Sequence, residues 1–150
     1  MLFPRNWKIV AALGAMAVTA YAGGFFLTIH APGETKDAVL VVEAQGCGDY
    51  SQAKITGVAE GLVHGQRQSI PVELTPTAKP GLYAVRQQWP ANGKWVLVLS
   101  GTTGDRHTHT IVELGPDGRM LPDSAPSKGI RMAMHPVTAA EIQEALERHS

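Results

Sequence analysis

Tyr83–Ser100, YAVRQQWPANGKWVLVLS, is the stretch whose reading decides the fold. In an extended chain successive side chains point to opposite sides, so Tyr83, Val85, Gln87 and Trp89 share one face. Pro90-Ala91-Asn92-Gly93-Lys94 is turn sequence, and Asn-Gly readily takes the positive φ angles of tight loops. Beyond it, Trp95, Leu97 and Leu99 fall on one side and Val96 and Val98 on the other. A strand apolar on both faces belongs in the middle of a structure. The pattern predicts a central hairpin with Trp89 and Trp95 facing each other across it. Such cross-strand aromatic pairs stabilise by about 0.2–1 kcal/mol. Packing is the expected role of both tryptophans; an exposed pair would instead form an interaction patch.

The same alternation runs outward from this segment. On the N-terminal side, Ala38–Ala44 is β-branched and apolar enough for a buried strand, and Ile55–Val63 is a weaker strand interrupted by Gly57 and Gly61. Ser69–Thr75 alternates, with Ile70, Val72 and Leu74 inward. Pro71 has no N–H for a ladder, which predicts an edge strand. Lys79-Pro80-Gly81 is a turn of the Pro-Gly kind. On the C-terminal side, Thr108–Leu114 sends Thr110, Val112 and Leu114 inward and His109, Ile111 and Glu113 outward, and Ile130–Met134 is a candidate last strand. Thr138-Ala139-Ala140-Glu141 matches a capping box, with Val137 and Ile142 placed as a hydrophobic staple. Six or seven short strands without crossover helices predict a mainly β fold, a β-sandwich over residues 38–136, closed by a C-terminal helix over 137–150.

The N-terminus has a different character. Arg5 and Lys8 precede a run from Ile9 to Ile29 with no charged residue, long enough to cross a bilayer as a helix. The preceding cations predict the N-terminus inside and the remainder outside. Residues 1–30 are therefore expected to be a membrane anchor or a signal peptide, and residues 31–37 a linker. Ala20-Tyr21-Ala22 is a small-x-small site suited to cleavage. The uncleaved anchor is preferred, because a cut there would leave Phe25–Ile29 as an apolar new terminus. Either way the domain faces the periplasm, anchored in the inner membrane or released.

Composition narrows the function. The 150 residues carry 13 Lys plus Arg against 13 Asp plus Glu, with no basic cluster, which argues against nucleic acid as a partner. Cys47 is the single cysteine, so no internal disulfide can form in this exported domain. His107-Thr108-His109 on a strand would point both imidazoles one way, a common start to a zinc or copper site, with Glu113 further along the same face. A third ligand would have to come from Glu113, His64 or His135. Met120, Met132 and Met134 are soft donors that more often fill cores. Nucleophile elbows, Ser-x-x-Lys and phosphate-binding glycine patterns are absent from the sequence, and no cofactor is expected.

The run TGVAEGLVHGQRQSIPVELTPTAKPGLYAVRQQWPANGKWVLVLSG, from Thr56 to Gly101, resembles the exported immunoglobulin-like modules of bacteria grouped as FixH/YtkA-like. It is also similar to the carboxypeptidase regulatory-like, or transthyretin-like, sandwiches. Gly81-Leu82-Tyr83 and Gly93-Lys94-Trp95 carry the likeness, which covers about a third of the chain. It implies a non-catalytic, seven-stranded sandwich. For FixH-like proteins it adds one N-terminal span and a role near copper delivery to respiratory oxidases, but no residue set here corresponds to a copper site. The expectation is an accessory binding module of the bacterial cell envelope, held by its N-terminal helix and acting on another envelope protein. Periplasmic copper or zinc handling through His107, His109 and a third ligand is the alternative.

Overall fold

The computed structural model describes residues 24–121 and 135–148. Eight strands and one helix follow in chain order: β1 Phe25–His30, β2 Ala38–Gly46, β3 Lys54–Val63, β4 Gln66–Val72, β5 Leu74–Pro76, β6 Leu82–Arg86, β7 Lys94–Thr103, β8 Arg106–Glu113 and α1 Ala139–Glu147. They form two antiparallel four-stranded sheets, ordered β1-β2-β6-β5 and β4-β3-β7-β8. Leu27, Leu40, Val42 and Val85 of the first sheet meet Ala59, Leu97, Leu99 and Val112 of the second in a shared core. The architecture is thus sandwich-like and mainly β.

Central position follows from two-sided apolarity. β7 lies between β3 and β8, sending Trp95, Leu97 and Leu99 into the core. Its opposite face presents Val96 and Val98 to Ile142, Ala145 and Leu146 of α1. The helix begins as its sequence dictates. The Thr138 hydroxyl accepts from the Glu141 N–H, and the Glu141 carboxylate accepts from the Thr138 N–H at 2.8 Å. Pro71 stands in β4, an edge strand, where its missing N–H costs no ladder bond.

Three expectations are corrected. First, Phe25–His30 belongs to the domain: it pairs along its length with β2, from Phe25 opposite Gly46 to His30 opposite Val41. Phe25, Leu27 and Ile29 are buried while Phe26, Thr28 and His30 point away. The folded unit therefore starts before residue 30, and residues 31–37 form the β1–β2 connection, where the Thr35 N–H donates to the Pro32 carbonyl at 2.9 Å. The remainder of the expected N-terminal helix, residues 1–23, lies outside the described residues, as does the strand expected at 130–134. Among the described residues no helix is long and apolar enough to cross a membrane.

Second, Tyr83–Ser100 is not a hairpin. β6 pairs with β2 and β5, whereas β7 pairs with β3 and β8, so residues 87–93 carry the chain from one sheet to the other. Trp89 and Trp95 stand at the two ends of that crossing, both in the core and only 4% and 5% exposed. Third, the single strand expected at 69–75 divides. β4 pairs with β3 in one sheet and β5 with β6 in the other, and the chain changes layers at Glu73. There the Gln88 amide substitutes for a neighbouring strand: Glu73 N–H donates to Gln88 Oε1 at 2.9 Å, and Gln88 Nε2 donates to the Glu73 carbonyl at 2.9 Å.

Candidate functional site

The sequence pointed to the outward face of β8. In the β7–β8 ladder His109 lies opposite Ser100 and His107 opposite Thr102. Ser100 Oγ is 2.8 Å from His109 Nδ1, and Thr102 Oγ1 is 3.4 Å from His107 Nδ1. Partial burial is the main cause holding His109 below the usual imidazole pKa, followed by the charges of His107 and His135. The structure thus brings His135, at the approach to α1, within electrostatic reach of His109.

The other proposed ligands stay apart. Glu113 is two positions beyond Ile111, a residue that packs against the α1 cluster, and its carboxylate lies 3.5 Å from Arg148 Nε. His64 sits in the β3–β4 turn with a positive φ of 48°. That turn is at the far end of the sheet from His107, roughly 27 Å along the strands. Among the described residues no three of His, Cys, Asp and Glu are grouped to hold a metal. Cys47 is exposed in the β2–β3 connection. Trp89 and Trp95, the residues of the anticipated interaction patch, are buried and present no surface for one.

A different surface, missed in the sequence, has the shape of a binding site. Val41 of β2 and Ala84 of β6 are partners in the ladder and point out of the first sheet, away from the core. Yet they are only 4% and 2% exposed, because two connections rise beside them. One wall is the β1–β2 connection with His30, Pro32 and Thr35; the other is the β5–β6 connection with Pro76 and Lys79. The second wall is built by its sequence. Gly81 takes φ 79°, and the Leu82 N–H donates to the Lys79 carbonyl at 3.2 Å, closing a turn with Pro80 at its first corner. Thr77 braces it, its hydroxyl donating to the Lys79 carbonyl at 3.1 Å. The cleft between the walls encloses about 470 Å3.

Polar groups edge the apolar floor. His30 Nε2 lies 3.1 Å from Glu43 Oε2, which also accepts from Gln45 Nε2 at 2.9 Å; Thr28 donates to Gln45 Oε1 at 2.8 Å. Across the floor, Arg86 donates to Thr75 Oγ1 at 3.0 Å. Lys79, Arg86, His30 and Glu34 are the ionisable residues lining the cleft, so cations outnumber anions there. Chemically the cleft can hold an apolar group on Val41 and Ala84 and meet an anionic group at Arg86 or Lys79. The sequence signal was two apolar residues at outward strand positions, too common on a sheet to single out. Comparison of the chain with protein-family models, with curated proteins and with solved structures gave no match.

Proposed function

We propose that the chain is an exported, non-catalytic binding module of the bacterial cell envelope, an immunoglobulin-like or transthyretin-like sandwich that engages another envelope protein through the cleft over β2 and β6. The observation that carries this reading is the sheltered apolar floor, Val41 and Ala84, on a face turned away from the core. A surface of this kind gains little from folding alone and gains by covering its floor with a partner. The cleft is open along its length, which suits an extended segment, and its cationic rim suits one whose apolar side chain is followed by a carboxylate. The residues at the rim that could act as acid or base, His30 and Glu43, bind each other, which supports a binding role over a catalytic one.

The test is titration of the isotope-labelled protein with a short acidic-apolar peptide of alternating valine and glutamate, beside its valine-lysine counterpart. Saturable shifts at Val41, Ala84 and Arg86 with the acidic peptide alone are expected, and Ala84→Trp should remove them. Absence of saturable shifts with the acidic peptide refutes the assignment.

Copper or zinc handling is the second reading, favoured by the shared face of His107 and His109 and the nearness of His135. It predicts saturable binding of Cu(II) or Zn(II) at micromolar metal that is lost in His109→Ala. No saturation at that concentration rejects it.

A further inference from the structure

We infer that the peptide bond between Ala22 and Gly23 is the processing site of an export peptidase, so that the mature protein begins two residues before β1 and carries no membrane anchor. This rests on the reading of the chain as exported, and goes further in saying what becomes of the segment that exports it.

The reasoning starts from β1. Along Phe25–His30 every residue has a ladder partner in β2, and Leu27 and Ile29 join the shared core. Phe25 stacks on Tyr50 with ring centroids 5.0 Å apart. The opposite sheet is shaped to receive the strand: a Cβ on Gly101 of β7 would fall 2.9 Å from Phe25 Cζ and 3.0 Å from Leu27 Cδ2. The missing side chain at Gly101 makes the space that β1 fills. Residues 25–29 therefore cannot serve a bilayer-spanning helix without stripping three buried side chains from the domain.

That removes the end of the uncharged run. What remains outside the strand is Ile9–Gly24, 16 residues. As a helix these would reach about 24 Å, short of the ~30 Å hydrocarbon core that a span must cross. Their pattern fits a cleavable leader instead. Arg5 and Lys8 supply the cationic start, Ile9–Thr19 the apolar centre, and Ala20-Tyr21-Ala22 the small-x-small site. The objection that a cut here would expose an apolar terminus falls away, because Phe25, Leu27 and Ile29 are covered by the fold. A cut after Ala31 would instead remove β1 entirely. In the step itself, water adds across the amide: the hydroxyl goes to the Ala22 carbonyl carbon, and the Gly23 nitrogen leaves as the new α-amine.

The experiment expresses the full chain, tagged at its C-terminus, in a bacterial host with a general export pathway, followed by fractionation, intact mass and N-terminal sequencing. The expected product is soluble, periplasmic and begins at Gly23. Ala22→Arg should accumulate the uncut chain in the membrane fraction, while Ala22→Ser should be cut as the parent is. These substitutions lie outside the folded strands, so a change in processing is not a failure to fold. Wild-type chain recovered uncut in the membrane overturns the processing site while leaving export intact, and so does a terminus at or beyond Phe25. Uncut chain in the cytosol overturns export as well.

Discussion

Gly61→Ala tests how the two sheets were fitted around Trp95. Gly61 and Trp95 are ladder partners in β3 and β7, and both are buried. A Cβ built on Gly61 falls 2.6 Å from Trp95 Cδ2, in the body of the ring system and not at the end of a flexible chain. The indole cannot simply withdraw, because its Nε1–H donates to the Asn92 carbonyl at 2.8 Å and its faces are packed in the core. Overpacking of this kind costs about 1–3 kcal/mol. Replacing a strand glycine by alanine would otherwise gain about 0.5–1 kcal/mol through backbone entropy. The net expectation is a loss of about 0.5–2 kcal/mol. For a 1.5 kcal/mol loss and a urea m-value of about 2 kcal/mol/M, the unfolding midpoint falls by about 0.75 M. Urea unfolding followed by tryptophan fluorescence reads this directly. Trp95→Leu is the control background: with the ring gone, adding Gly61→Ala should cost nothing or stabilise. A midpoint in Gly61→Ala at or above the parent's would refute the reasoning, as would an equal loss in both backgrounds.

Three further outcomes can be checked. Leu40→Ala empties a fully buried site between the sheets and should cost about 2–5 kcal/mol in the same urea assay, a smaller loss meaning that the core collapses around it. Thr138→Ala removes both the acceptor for the Glu141 N–H and the reciprocal capping box, and should cost about 1 kcal/mol, seen as faster amide exchange in α1 than in β7. His109 has a lowered pKa in the folded protein, so the unfolded chain takes up its proton first as pH falls. Its contribution to stability is therefore complete above the unfolded value near 6.5, and declines as pH drops from there through the lowered folded value. An imidazole NMR titration should place His109 below His64, and His109→Gln should flatten the stability profile in that window. A His109 midpoint at or above the ordinary value counts against the burial assigned to it.

Strand alternation from Val39 to Leu114 was legible because each strand buries one set of side chains and each turn carries its own chemistry. The double-sided apolarity of β7 placed it centrally, and Pro71 placed its strand at an edge, both without any knowledge of partners. What alternation cannot convey is which sheet a strand joins. Trp89 and Trp95 flank a turn in sequence whether the chain folds back on itself or crosses to the opposite layer, and here it crosses. Ser69–Thr75 reads as one strand for the same reason: the inward set Ile70, Val72 and Leu74 is unbroken, although the pairing changes at Glu73. β1 was hidden by its neighbours. Its Thr28 and His30 interrupt the apolar residues with strand periodicity, but the lack of charge from Ile9 onward outweighed that signal. At the candidate site, the His107–His109 face was readable from spacing two residues apart. The cleft was not, since it depends on two distant connections rising beside the same pair of outward residues.

The change of layer at Glu73 has a mechanical consequence. A single uninterrupted length of backbone serves as the rim of one layer and then of the other, and the Gln88 amide fastens the point of transfer. Shearing the layers past each other must drag this stitch and tear β4 or β5 from its neighbour. The halves of the molecule are therefore expected to come undone together, so that a pull applied across the layers meets one barrier where two loosely stacked plates would offer a gradual slip.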